Sequence, residues 1–86
     1  MTEAKIREAV LLSLRKIAPE IDPATIDPAA NLREQVDLDS MDLMNFVIDV
    51  GERLEVEIPE QDYPMLLTLN RCVSYLSARL GVRSGS

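Results

Sequence analysis

The chain predicts an all-α fold: a small helical bundle of three main helices plus one short helix, with a long first connection. Three observations lead there. Apolar residues recur three and four positions apart in three separate stretches, the spacing that lines up one face of an α-helix. Residues that cap and break helices stand at the borders of those stretches. The composition is 47% hydrophobic but only 3% aromatic, so the core must be built from Leu, Ile, Val and Ala, which suits helices packed side by side. A chain of 86 residues makes one domain with a modest core and little room for a deep enzyme pocket. The domain is placed at residues 1–82, and the tail Arg83-Ser84-Gly85-Ser86 reads as disordered.

The first helix is expected over residues 2–17. Thr2 suits the N-cap and Glu3 the first turn, where a negative charge meets the positive end of the helix dipole. Ile6, Ala9, Val10, Leu14 and Ile17 mark its buried face, and Pro19 ends it. From Ala18 to Asp39 the chain is a connection broken by Pro19, Pro23 and Pro28, which exclude a continuous helix. A connection of that length in a small domain must pack down or serve a function. Ile21, Ile26, Leu32, Val36 and Leu38 are its expected anchors, with one short turn over residues 31–35.

A second long helix is expected from Ser40 to Leu54, capped by Asp39 with Asp42 in the first turn. Leu43, Phe46, Val47, Val50 and Leu54 form its inward stripe. Met41, Met44 and Ile48 fall on another face. Either the stripe is wide, or these side chains form a face on which a partner docks, a use that suits adaptable methionines. Gly51 inside this helix implies close packing or a bend. Glu55-Val56-Glu57-Ile58-Pro59 leaves in extended form, and a short helical turn is expected over residues 60–63, before Pro64. The last helix is expected over residues 68–80, capped by Thr68 and closed by Gly81, with Leu69, Cys72, Val73, Leu76 and Leu80 inward.

Charge and residue types narrow the function. The net charge is −6, and nine acids between Asp37 and Asp62 face a single base, Arg53. Such a centre repels nucleic acid and draws basic protein partners, or else it is simply a solvated face that keeps a small protein soluble. There is no His, so no Ser-His or Cys-His pair and none of the usual zinc sets can form; no catalytic residue and no metal site are assigned. One Cys allows no internal disulfide, and Cys72 on an apolar stripe reads as a buried structural thiol. No apolar run reaches membrane-spanning length and no signal peptide is evident, so a cytoplasmic monomer without a membrane span is expected.

The residues Leu38-Asp39-Ser40-Met41-Asp42 remain. A serine at the start of a helix faces solvent where peptide N–H groups and the dipole both favour negative charge, which suits a phosphodiester. On the dipeptide Asp-Ser alone, an ordinary capping serine is the simpler reading. The surroundings point elsewhere. Leu38-Asp39-Ser40-Met41 with an amphipathic helix directly behind it, Glu57-Ile58-Pro59 past that helix, Thr68-Leu69 opening the last helix and Tyr75-Leu76 near its end resemble the acyl carrier protein family. The likeness runs from the first helix to Leu80.

The resemblance implies a non-catalytic carrier. Ser40 would bear 4′-phosphopantetheine, transferred from coenzyme A by a phosphopantetheinyl transferase, and the thiol of that arm would hold acyl groups as thioesters. Asp39 matches the acid that the transferase recognises. Met41, Met44 and Ile48 match apolar positions that meet partner enzymes. Asp42, Asp49, Glu52 and Glu60 match an acidic surface that meets basic docking patches on acyl-transferring or acyl-activating enzymes. Two departures, Gly51-Glu52-Arg53 with Asn45 in the second long helix and Tyr63-Pro64-Met65 after it, suggest a specialised carrier beside the housekeeping one of fatty-acid synthesis. D-Alanyl carrier proteins, which share Leu-Asp-Ser-Met, are an alternative, and an acidic helical adaptor with no prosthetic group is an alternative of another class.

Overall fold

Thr2 is extended and its hydroxyl accepts the Lys5 N–H at 3.3 Å, so helix α1 (Glu3–Ile17) begins where the sequence places its cap. The computed structural model describes residues 2–81. The proposed tail, 83–86, and the end of the proposed domain at residue 82 lie outside the described residues. Ile6, Val10 and Leu14 are fully buried, whereas Ala9 and Ile17 are only half-buried at the edges of the same face. Ala18 closes the helix, and its N–H still donates to Leu14 O at 2.9 Å.

The long connection is folded onto the bundle by its own polar side chains. Asp22 caps a 3-10 turn at Pro23–Thr25 by accepting the Ala24 N–H, and Asp27 accepts the Ala29 N–H in the same local fashion. Helix α2 (Leu32–Gln35) is capped by Asn31. The Gln35 side chain reaches back, accepting from Asp27 N and donating to the carbonyls of Asp27 and Ala30. Leu32 N donates to Leu67 O at 2.7 Å and Asn70 N to Pro28 O at 3.0 Å, which ties the connection to the start of the last helix. Leu32 and Leu38 are buried, and Ile21, Ile26 and Val36 pack half-buried against the core. Backbone groups that would otherwise cost free energy on burial are thus paired.

Helix α3 (Ser40–Leu54) turns its expected stripe inward; Leu43, Phe46, Val47, Val50 and Leu54 are all buried. Its end is a Schellman-type closure. Glu55 takes the left-handed conformation (φ 54°), Glu55 N donates to Glu52 O and Val56 N to Gly51 O. Gly51 serves close approach: a Cβ there would lie 2.8 Å from the Val56 carbonyl oxygen. Helix α4 (Leu69–Leu80) starts at the Thr68 cap and ends at Gly81 (φ 71°). It buries Leu69, Cys72, Val73 and Leu76, with Leu80 half-buried. Helix α1 packs on both α3 and α4.

The all-α bundle holds, but the expected count of three main helices and one short one does not. The described residues form four α-helices and two 3-10 segments. The turn expected over 60–63 continues through Pro64 as a 3-10 segment, Glu60–Leu66. Pro64 has no N–H to give, and the tighter winding delivers Leu66 into the core, where it is fully buried. Tyr75 on α4 secures this segment by donating its hydroxyl to Asp62 Oδ2 at 2.6 Å. Arg79 lies over the Tyr75 ring and donates to Glu57 O, so the chain leaving α3 is tied to the same helix.

Candidate functional site

The approach to α3 is set by one unusual backbone residue. Asp37 follows α2 with φ 57°, a region that Asp tolerates better than most residues. The turn lets Leu38 N donate to Arg33 O at 3.2 Å and drops the Leu38 side chain into the core. Arg33 Nε in turn donates to Leu38 O at 3.4 Å. The backbone N–H and C=O of Leu38 are therefore both tied to α2, and the next two residues are exposed.

Asp39 is the N-cap of α3. It is extended, and its carboxylate accepts the Asp42 N–H at 2.8 Å, while its own carbonyl takes Leu43 N. This arrangement gives the capping role to Asp39 and not to the serine. The cap is Asp39, so the hydroxyl of Ser40, one residue on, is not spent on capping and is exposed. Ser40 is the first helical residue. Its own N–H and that of Met41 belong to the unpaired first turn, at the end of the helix that favours negative charge. An exposed hydroxyl beside such donors fits a phosphodiester.

The expected apolar face is present on the surface of α3. Met41 is 62% exposed, Met44 37% and Ile48 45%, and their spacing of three and four places them along one side of the helix. Glu52 lies exposed one turn past Ile48, Asp42 is half-buried in the first turn, and Glu60 is exposed at the head of the 3-10 segment. A shallow groove beside this face runs between the end of α3 and the segment after it, lined by Ile48, Gly51, Glu52, Val56, Ile58 and Tyr63 among others.

Asp49 is placed differently from the other acids. It is only 9% exposed, and its two oxygens are held separately: Lys16 Nζ of α1 lies 3.1 Å from Oδ1 and Arg53 Nε 2.6 Å from Oδ2. Burial alone would raise its pKa. The nearby Ser13 hydroxyl, close without forming a complete hydrogen bond, and the Arg53 and Lys16 cations outweigh burial and hold it at about 2. The residue clasps α1 to α3. Its helical phase carried the signal, because position 49 lies three residues from the inward Phe46 and so shares its face. Arg33 was also missed by sequence reasoning; its contact with Leu38 depends on the turn at Asp37.

Cys72 is buried, donates to Leu66 O at 3.2 Å, and burial pushes its pKa to about 12. Burial first and the Asp62 hydrogen bond second push Tyr75 upward as well. Among the described residues no helix is long and apolar enough to cross a membrane.

Comparison with known proteins agrees with this geometry. The family model described as "Phosphopantetheine attachment site" matches residues 8–81, most of the chain. The acyl carrier protein of Rubrobacter xylanophilus is 27% identical over 73 residues, covering 81% of this chain and 90% of its own. That of Lactobacillus acidophilus is 29% identical over 62 residues, covering 72% of this chain and 78% of its own. A solved structure of the Enterococcus faecalis acyl carrier protein superposes with a TM-score of 0.72 at 20% identity, covering 92% of this chain and 99% of that one, which is a likeness of fold. The match over nearly the whole helical bundle, together with a surface serine that follows the cap at a helix start, makes this chain a member of the acyl carrier protein family, whose members carry a covalent 4′-phosphopantetheine arm and take no catalytic step themselves.

Proposed function

We propose that Ser40 is the residue that takes the arm. The observation that carries this is the division of labour at the start of α3: Asp39 caps the helix and leaves the Ser40 hydroxyl exposed. With the arm attached, its phosphodiester sits against the first-turn N–H groups of α3, and its thiol extends into solvent to hold an acyl group as a thioester. A phosphopantetheinyl transferase reads Asp39 and its surroundings. The chain's own work is then to present the arm and to dock.

The docking surface we assign is Met41, Met44 and Ile48 with Asp42, Glu52 and Glu60 around them. Exposed apolar side chains ringed by acids support weak, fast and reversible binding to basic patches, since screened charge contacts steer encounter without locking the complex. Asp49 we leave out of this surface, because both of its oxygens are already engaged. Tethering keeps the acyl group at high effective concentration near successive enzymes. The pathway is one of fatty-acid, polyketide or related acyl transfer in the cytoplasm, served by a specialised monomeric carrier. Carriage of D-alanine is the second reading, favoured by Leu38-Asp39-Ser40-Met41.

Intact-mass measurement after incubation with coenzyme A and a broad-specificity phosphopantetheinyl transferase tests the assignment. Wild type should gain one phosphopantetheine and Ser40→Ala none, with Ser40→Ala keeping its melting temperature. Loading of Ser40→Ala would overturn it by placing the arm on another residue, and no loading of wild type by several transferases would overturn it in favour of the acidic adaptor.

A further inference from the structure

The added phosphodiester meets an unfavourable neighbourhood. Asp37, Asp39 and Asp42 lie within three residues of Ser40, and none of them takes part in an ion pair among the described residues, where both ion pairs are made by Asp49. The dipole of α3 offsets some of this repulsion, but the capping carboxylate of Asp39 has already taken one of the first-turn N–H groups. The chain between Lys16 and Arg53 contains a single base, Arg33. That base is exposed, and its Nε is held on the carbonyl of Leu38, two residues before the serine. Leu38 and Ser40 are two peptide units apart, at most about 7.6 Å between Cα atoms, so the guanidinium is anchored on the stretch of chain that leads into the serine. Its two Nη groups are not used by the Leu38 contact.

We propose that Arg33 is the counter-cation of the arm: its guanidinium pairs with the non-bridging oxygens of the phosphodiester on Ser40 and orients the first bonds of the arm over α2. The proposal rests on Ser40 being the attachment residue. Guanidinium presents planar paired donors to phosphate oxygens, and one nitrogen fixed on the backbone leaves less side-chain freedom to lose when the pair forms. Arg33 is a positioning residue. It keeps the phosphodiester from being repelled by the three aspartates, and it adds no chemistry. A shallow groove lined by Asn31, Arg33, Glu34 and Leu38 adjoins it and offers the arm a path along α2.

The test is a thermodynamic cycle on the protein with and without its arm. Wild type, Arg33→Gln, Arg33→Lys and the control Arg71→Gln, which removes an exposed arginine of α4, are each prepared unloaded and loaded, loading being verified by intact mass. Arg33 is exposed, so the unloaded variants fold. The readout is the change in melting temperature on loading, at 20 mM and 500 mM NaCl. Loading should lower the melting temperature of Arg33→Gln by about 1–4 °C more than that of wild type at low salt, and by the same amount as wild type at high salt. Arg33→Lys should recover part of the difference, and Arg71→Gln should match wild type. The ³¹P resonance of the phosphodiester should shift with salt in wild type and be less sensitive in Arg33→Gln. Equal loading shifts in wild type and Arg33→Gln, with a ³¹P signal indifferent to the substitution, would overturn the proposal while leaving Ser40 untouched. Absence of loading in wild type would instead remove the Ser40 assignment, and this inference would fall with it.

Discussion

Asp49 shows how a single side chain changes role once neighbours from another helix arrive. Its oxygens hold Lys16 and Arg53, and its pKa lies at about 2, below the ordinary aspartate value of 3.8. A carboxyl whose folded pKa is depressed binds its proton more readily when unfolded, so its contribution is complete above the unfolded pKa and is lost as pH falls. Here the loss runs from about pH 4 to about pH 2. Lys16 and Arg53 are partly solvated, which screens the pairs, so Asp49→Asn should cost roughly 1–2 kcal/mol at pH 7. Thermal melts of wild type and Asp49→Asn should differ at pH 7 and converge at pH 2. A gap that persisted unchanged to pH 2 would place the effect in packing instead of charge.

Among the elements, the end of α3 is where local preference and tertiary demand collide. Gly51 lowers helix propensity by about 1 kcal/mol relative to Ala, yet the Val56 carbonyl stands 2.8 Å from where a Cβ would be. A backbone oxygen held in the closure of the helix cannot give way easily, because Val56 N is itself bonded to Gly51 O. Gly51→Ala should therefore destabilise by about 1–3 kcal/mol despite the gain in propensity. Glu55 is the reverse case. A non-glycine at φ 54° carries roughly 1–2 kcal/mol of left-handed strain, and glycine loses some of that gain to chain entropy, so Glu55→Gly should stabilise by about 0.5–1 kcal/mol. Urea titrations of the two variants check both signs. The helix borders themselves were legible, since Thr2, Asp39, Thr68 and Gly81 act on the backbone within four residues. The continuation of the 60–63 turn through Pro64 to Leu66 was not, because it depends on Leu66 finding the core and on Asp62 finding Tyr75 thirteen residues away.

For the molecule as a whole, the placement of charge separates holding from docking. Asp49 and Glu52 are three residues apart on α3, and only Glu52 is exposed. Glu52→Lys should leave stability within about 0.5 kcal/mol of wild type and weaken binding to a basic partner enzyme, with a shallower dependence on salt. Binding titrations of the loaded protein at several NaCl concentrations check this. Unchanged affinity and salt slope would mean that the acidic centre only keeps the protein soluble. Met41, Met44 and Ile48 stay on the surface of a protein whose other large apolar side chains are mostly inside, as the proposed docking face requires.

The sequence by itself determined the all-α class, the caps, the inward stripe of α3 and the serine at its start. These are short-range facts, governed by hydrogen bonds and side-chain spacing within a turn or two. Only the tertiary structure decided which acid would be buried, that the long connection would bond to the head of α4, and that Arg33 would lie beside the residues leading to Ser40. Those outcomes depend on groups far apart in the chain meeting at one place, and no local preference encodes such a meeting.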